Sequence, residues 1–241
     1  MIPKKIHHIW LQGSNNIPKE YMIFIHKWKE LNPQWKSYVW NESELVSLLY
    51  SYLPQYIDIY ESLDSLINRI NFLKYVLMYV EGGVYADLDM YPLKTFDEFL
   101  NIKSIKNIDR NAYISHRYPI SSCKYEKRLD DYDIILMSRD GLAFFKDMPT
   151  VLLLDNPILF SNSENSFWEK LIDYCIYQRS DVKDLNHEPL GPFGMSEFLY
   201  HQYGNNINEN NIQIVPSFIM CNEHGESEDT CFMHKAYRGW D

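Results

Sequence analysis

Apolar residues recur at steps of four, three, four and three through Leu66, Ile70, Leu73, Leu77 and Val80. That spacing lines one face of an α-helix and predicts a helix from about Asp64 to Val80. Gly82-Gly83 follows it, where a left-handed residue can end the helix without a Cβ penalty. From Val84 to Tyr91 the period changes to two. Val84, Ala86, Leu88 and Met90 alternate with Tyr85, Asp87, Asp89 and Tyr91, which predicts a strand with one apolar face. Upstream, Lys5 to Leu11 reads as a short strand ending at Gln12-Gly13-Ser14-Asn15-Asn16. Pro18 opens a helix through Trp28 and Leu31 that Asn32-Pro33 closes. Trp35 to Trp40 reads as a second strand. Asn41 or Ser43 caps the next helix, whose apolar face is Leu45, Leu48, Leu49 and Leu53.

Strand, helix, strand, helix is the opening of an α/β sheet. Beyond residue 95 the pattern weakens. Residues 101–131 are charged and irregular, as expected of an insertion or mobile loop. Asp133 to Met137 and Val151 to Leu154 read as buried strands, Phe167 to Tyr177 and Met195 to Tyr203 as helices, and Ile212 to Phe218 as a late strand. No repeat and no linker divides the chain, so residues 1–241 are expected to form one domain.

Composition narrows the function classes. The hydrophobic fraction is 46% and the charged fraction 23%, an ordinary globular balance that excludes a disordered chain. The formal net charge is −10, which speaks against nucleic-acid binding through the phosphate backbone. No window approaches about 18 uninterrupted apolar residues, so neither a signal peptide nor a transmembrane span is expected. The expectation is a soluble cytoplasmic protein, or one peripheral to a membrane. Cys123, Cys175, Cys221 and Cys231 lack any Cys-x-x-Cys spacing, which removes a four-cysteine zinc site. Cys221 and Cys231 could close one loop.

Asp87-Leu88-Asp89 carries the chemistry. Carboxylates two residues apart on a strand share a face, roughly 7 Å apart at about 3.3 Å per residue. They can hold one hard divalent ion and leave positions for water and a diphosphate. A solvated strand edge would match the same three residues, so the context decides. Asn71 and Lys74, three apart on the preceding helix, share one side of it, and an amide and an ammonium beside two carboxylates suit a polar, phosphorylated ligand. A solvated helix face is the alternative for that pair.

These residues resemble a known family. Ile2 to Trp10 is similar to the opening of glycosyltransferase family 32, the DXD sugar-binding group that includes yeast-type mannosyltransferases. Asn71 to Tyr75, continuing through Glu81-Gly82-Gly83-Val84-Tyr85-Ala86-Asp87-Leu88-Asp89, resembles its core signature, and the catalytic domains of large clostridial glucosylating toxins are similar over the same stretch. Asp155-Asn156-Pro157-Ile158, Gly191-Pro192 and the closing His234 to Trp240 resemble later family segments. The resemblance implies a GT-A fold, a Rossmann-like central mixed sheet flanked by helices. It also implies a nucleoside-diphosphate sugar donor, of the uridine or guanosine class, held with Mn²⁺ or Mg²⁺. It places Asp87 on the donor ribose or sugar, where it helps to hold the metal, and Asp89 on the metal directly. Trp10 and Gln12 would border the base, Asn156 would face the transferred sugar, and His234 and Trp240 would close over the diphosphate, with His234 joining Asp87 and Asp89 at the metal. Tyr85, on the face of the two aspartates, joins the donor-binding set. Asn71 and Lys74 stand where the family usually has Asp and Arg, and Gly239 where Ser is common. Lysine cannot reproduce the bidentate fork of arginine.

Other residues point elsewhere or nowhere. His7 and His8 alternate on a strand, so at most one faces a ligand, and a packing role suits both better. No nucleophile elbow surrounds Ser161 or Ser166, and no Walker or dinucleotide glycine loop is present. Trp28, Trp35, Trp40 and Trp168 suit the core. The resulting expectation is a metal-dependent glycosyltransferase that retains anomeric configuration, with Asp87, Asp89 and Lys74 central to catalysis and an unassigned glycan, lipid or protein acceptor. A noncatalytic nucleotide-sugar or glycan-binding module is the alternative. A metal phosphohydrolase would need further acidic or histidine ligands.

Overall fold

The structure, a computed structural model, describes residues 1–101, 128–143, 151–178, 189–203, 210–215 and 230–235, and leaves out the side chains of 139–143, 151, 152 and 178. In chain order its elements are β1 (Lys5–Ile9), α1 (Lys19–Leu31), β2 (Lys36–Trp40), α2 (Glu42–Tyr52), α3 (Ile57–Glu61), α4 (Leu66–Glu81), β3 (Gly83–Ala86), β4 (Met90–Pro92), α5 (Phe96–Leu100), β5 (Ile134–Ala143), β6 (Val151–Ser161), α6 (Ser166–Asp173), α7 (Pro192–Tyr203), β7 (Ile212–Val215) and β8 (Phe232–His234). The opening alternation is therefore an α/β arrangement, as the hydrophobic pattern indicates. Asn41 caps α2: its side chain accepts from the Glu44 amide at 3.0 Å, and Glu44 reaches back to the Asn41 amide at 2.9 Å. Both orphan donors at that helix start are thereby satisfied.

Six strands form one sheet in the order β2-β1-β3-β6-β5-β7. β1 pairs parallel with β2 and β3, whereas β6 runs antiparallel between β3 and β5. The sheet is mixed, and β6 threads its centre from the opposite direction. One face is covered by α2, α4, α6 and α7 through a core that includes Leu45, Leu73, Leu77, Trp168 and Phe198. The other is covered by α1, α5 and a second, two-stranded sheet of β4 and β8, with Trp28, Phe96, Phe99 and Phe232 between. Burying aromatic rings on both faces is the dominant favourable term for such a layer. Trp28, Trp35 and Trp168 are core residues, and Trp40 is half-buried.

Several elements differ from the sequence expectation; the strand read over Asp133 to Met137, for one, runs from Ile134 to Ala143. The strand expected over Val84 to Tyr91 is two strands in two sheets, joined by a turn at Asp87-Leu88-Asp89 in which the Met90 amide donates to the Asp87 carbonyl at 3.0 Å. The β3–β6 ladder runs one pair further, with the Asp87 amide donating to the Pro157 carbonyl at 2.7 Å, and stops there because proline has no N–H to return; Leu88 then enters a separate apolar cluster of Trp10, Tyr21, Phe24 and Ile25. The strand read over Val151 to Leu154 runs on to Ser161, through Asn156-Pro157. The helix read over Phe167 to Tyr177 is α-helical to Asp173 and π-helical from Tyr174 to Gln178. Most of the 101–131 segment and the last three residues of the expected Ile212–Phe218 strand lie outside the described residues, as do Cys221 and Trp240.

Candidate functional site

Helix α4 runs antiparallel to the strand it feeds, so residues in its middle lie beside the end of β3. Asn71 and Lys74 are there, and both are buried, at 3% and 2% exposure. A solvated helix face is therefore excluded. A buried ammonium is costly unless it is paired and hydrogen-bonded. Lys74 Nζ meets that requirement in three ways: it donates to the Asn156 carbonyl at 3.0 Å, lies 3.3 Å from Asp87 Oδ1, and sits 4.6 Å from the centre of the Tyr85 ring. The Tyr85 hydroxyl donates to the same Asp87 oxygen.

Strand β6 brings Asn156 to the same place. Because β6 pairs antiparallel with β3, Ala86 lies opposite Ile158 and the chain reaches Asn156 just beyond the Asp87 turn. The Asn156 amide donates to Asn71 Oδ1 at 3.0 Å and approaches the Tyr75 hydroxyl at 3.5 Å. Tyr75 in turn donates to the Leu190 carbonyl at 2.6 Å. Tyr75 has no role in the sequence reading; it occupies the next position of the helix turn that carries Lys74, and only the course of β6 shows that its hydroxyl turns inward.

The third contributor is β8, which pairs antiparallel with β4, Met90 against His234. This register places His234 Nε2 3.3 Å from Asp89 Oδ2, and the Lys235 amide donates to the Asp89 carbonyl at 3.0 Å. Trp10, at the end of β1, packs in the cluster that receives Leu88 and donates its indole N–H to the Asn16 carbonyl at 3.1 Å. Gln12 is exposed in the following loop, its carbonyl accepting from the Asn16 amide at 2.6 Å. The structure thus gathers Asn71, Lys74, Tyr85, Asp87, Asp89, Asn156 and His234, puts Trp10 next to the turn, and leaves Gln12 at the surface. His7 and His8 are both buried within the sheet, where the His8 ring meets the Ala86 carbonyl and the His7 ring the Trp40 indole.

Charge balance at the site is uneven. Burial raises the carboxyl of Asp87, with Asp89 adding to the rise, while Lys74 chiefly and then the Tyr85 hydroxyl and His234 oppose it. Burial and the Asp87 charge hold the Tyr85 phenol well above its ordinary value, so this hydroxyl stays a donor at neutral pH. Among the described residues no group of three or more His, Cys, Asp or Glu side chains is disposed to hold a metal ion. One oxygen of Asp87 is already bonded by Tyr85 and faced by Lys74. The second Asp87 oxygen, Asp89 Oδ2 and His234 Nε2 are the other donor atoms near the turn, and by themselves they do not enclose an ion. They fit an ion that keeps waters and takes phosphate oxygens, as Mg²⁺ and Mn²⁺ do, rather than one enclosed by protein.

Residues 18–107 match the family described as "Glycosyltransferase sugar-binding region containing DXD motif". A glycosyltransferase of Acanthamoeba polyphaga mimivirus is 29% identical over 103 residues, 42% of this chain and 41% of that protein. The initiation-specific alpha-1,6-mannosyltransferase of Candida albicans is 32% identical over 104 residues, 41% of this chain and 27% of that protein. The chain thus spans less than half the length of these relatives. Among solved structures, the PaToxG glycosyltransferase superposes with a TM-score of 0.52 at 18% identity, over 83% of this chain and 70% of that one. Asn156 and His234 lie outside the matched stretch, and no helix among the described residues is long and apolar enough to cross a membrane. Residues 18–107 thus match the DXD-containing glycosyltransferase sugar-binding family, and the architecture that carries them is a GT-A glycosyltransferase fold.

Proposed function

We propose that this chain transfers a sugar from a nucleoside-diphosphate sugar to an acceptor, with retention of anomeric configuration and with Mn²⁺ or Mg²⁺ bound at Asp89 and His234. The observation that carries this reading is the convergence of α4, the β3–β4 turn, β6 and β8 on one group of polar side chains within a family-matched fold. The hard part of such a transfer is departure of the diphosphate, on which negative charge grows as the anomeric carbon becomes cationic. A bound divalent ion would supply Lewis-acid stabilisation of that charge. Lys74 holds Asp87 against the helix and keeps its carboxylate charged. Asp87, with one oxygen fixed by Tyr85 and Lys74, offers the other to a donor hydroxyl. Asn156 and Asn71, joined by their amides, face the sugar. Trp10 and Gln12 border the base. Trp240 stays in the proposed donor set and lies outside the described residues.

The C. albicans relative is named as a mannosyltransferase, so guanosine-diphosphate mannose is the first donor to test and the uridine-diphosphate sugars follow. The acceptor is open among glycans, lipids and proteins. The experiment is release of nucleoside diphosphate from a donor panel, with Mn²⁺ and then with EDTA. Asp89→Ala should abolish release while the circular dichroism spectrum and unfolding transition stay within a few degrees of wild type. Full turnover in Asp89→Ala, or turnover unaffected by EDTA, would remove the metal assignment. Saturable donor binding with no release, with any acceptor, would instead identify a noncatalytic binding module.

A further inference from the structure

The carbonyls on either side of the Asp87–Asp89 turn are each held by an aromatic ring nitrogen. His8 Nδ1 lies 2.8 Å from the Ala86 carbonyl oxygen, and Trp28 Nε1 donates to the Met90 carbonyl at 2.9 Å. The two rings are neighbours, with centroids 6.2 Å apart. A carbonyl only accepts, so Nδ1 of His8 carries the proton. Burial keeps that ring neutral by lowering its pKa to about 4, so Nε2 is a bare acceptor. That nitrogen is fully buried and has no hydrogen-bond partner among the described residues. The ladder between β1 and β3 ends at His7 opposite Tyr85, one step before Ala86, and the His8 side chain supplies the next bond.

His8 is therefore a poor choice for stability alone. A phenylalanine of similar shape would relieve the orphaned Nε2 and fill the same space. What phenylalanine lacks is the donor at Ala86. We propose that His8, braced by Trp28, is a positioning residue that sets the angle at which the turn presents Asp87 and Asp89 to the cation and diphosphate. The role in binding rests on the donor-site reading above; the role in ordering the turn does not. The His7 ring, one residue away, serves differently. Its Nδ1 accepts from the Trp40 indole at 2.9 Å, so its proton sits on Nε2, the opposite tautomer.

The test compares His8→Phe, His8→Asn and His8→Gln. Asparagine places an amide nitrogen where Nδ1 lies, and glutamine places one near Nε2. Two readouts separate the claims: hydrogen exchange of the Met90 amide, which closes the turn, and the Mn²⁺ dissociation constant by electron paramagnetic resonance with guanosine or uridine diphosphate present. His8→Phe and His8→Gln should speed Met90 exchange at least tenfold, leave Leu73 exchange unchanged, and weaken Mn²⁺ binding about tenfold. His8→Asn should keep both within about threefold of wild type. Equal behaviour of the asparagine and glutamine variants overturns the proposal, as does a phenylalanine variant within twofold of wild type on both readouts. Acceleration spread equally over all amides also overturns it, because that reports global destabilisation. Exchange that follows this pattern while wild type binds no Mn²⁺ upholds the ordering of the turn and overturns the donor-site reading.

Discussion

Replacing Lys74 with methionine removes a charge and keeps most of the side-chain length. In the native protein the ammonium is 3.3 Å from Asp87 Oδ1 and 3.0 Å from the Asn156 carbonyl. At an effective dielectric constant of about 20, two unit charges at that separation attract by about 5 kcal/mol. Desolvation of the lysine offsets part of this. The expected loss on removing one member of a buried pair is about 3–5 kcal/mol, because the carboxylate left behind has no cation. For a chain of this size that corresponds to a fall of about 6–20 °C in Tm. The loss should depend on pH. Asp87 already has a carboxyl raised by burial, and Lys74 is the largest influence opposing that rise. Without Lys74 the folded-state carboxyl climbs further above its unfolded value, so the folded protein binds the extra proton and gains stability on acidification. The gap between Lys74→Met and wild type should therefore narrow between pH 7.5 and pH 5. Urea unfolding of the metal-free protein in EDTA measures it. Asp87→Asn added to Lys74→Met should recover at least half of the loss, since both charges are then gone. A single-variant loss below about 1 kcal/mol, a gap that does not change with pH, or no recovery in the double variant would refute the pairing argument.

Further outcomes follow from the backbone and from the two buried histidines. Gly82 has φ +59° and ψ −154°, a region that only glycine occupies comfortably, and a Cβ there would lie 2.5 Å from the Ser163 amide nitrogen; Gly82→Ala should cost about 3 kcal/mol by urea unfolding, and an alanine variant as stable as wild type would refute the close approach. Burial lowers His7 to about 3 and His8 to about 4, so both are neutral when folded and protonate near 6.5 when unfolded. Their contribution is complete above about pH 6.5 and is lost as pH falls, at up to about 2.7 kcal/mol per pH unit for two protons, with Asp87 acting in the opposite sense. His8→Phe should reduce the slope between pH 6 and pH 5 by about 1.4 kcal/mol per unit; an unchanged slope would show that His8 takes up no proton on unfolding.

The first 90 residues were readable because their helices and strands are half-buried and keep a clear period. Leu45 and Leu49 face the core of α2, and the diglycine stops α4 with positive φ at both Gly82 and Gly83. Period two misled at Asp87. A tight turn between two strands keeps the alternation Val84, Ala86, Leu88, Met90 intact, so the pattern cannot distinguish one strand from two in separate sheets. The β3–β6 ladder ends at Pro157, about 70 positions away, which accepts from the Asp87 amide but has no N–H to return. The strand read over Val151 to Leu154 continues through Asn156-Pro157 because proline is tolerated within a strand where no ladder donor is needed, and here its carbonyl, not its nitrogen, makes the bond to Asp87. The burial of Lys74 was equally invisible locally. Its neighbours on the helix mark it as flanking the apolar stripe, and only β6 and the turn cover it. Asn71, Lys74, Tyr85, Asp87, Asp89, Asn156 and His234 were each named from sequence, whereas Tyr75 and the donor nitrogen of His8 depend on cross-strand geometry.

The central, reversed placement of β6 has a consequence for synthesis. Lys74 meets the Asn156 carbonyl across 82 positions of chain, and β6 fills the middle of the sheet rather than an edge. At about 5–20 residues per second, the helix carrying Lys74 leaves the ribosome some 4–16 seconds before its carbonyl partner does. During that interval β1, β2 and β3 have a bare inner edge and an ammonium with nowhere dry to go. The nascent half-sheet must therefore stay loose and solvated, its acidic turn still unshaped, until the returning strand slots between β3 and the hairpin partner β5. A ribosome stalled with residues 1–101 exposed should display a protease-sensitive α4, while one stalled after residue 203 has emerged should protect it.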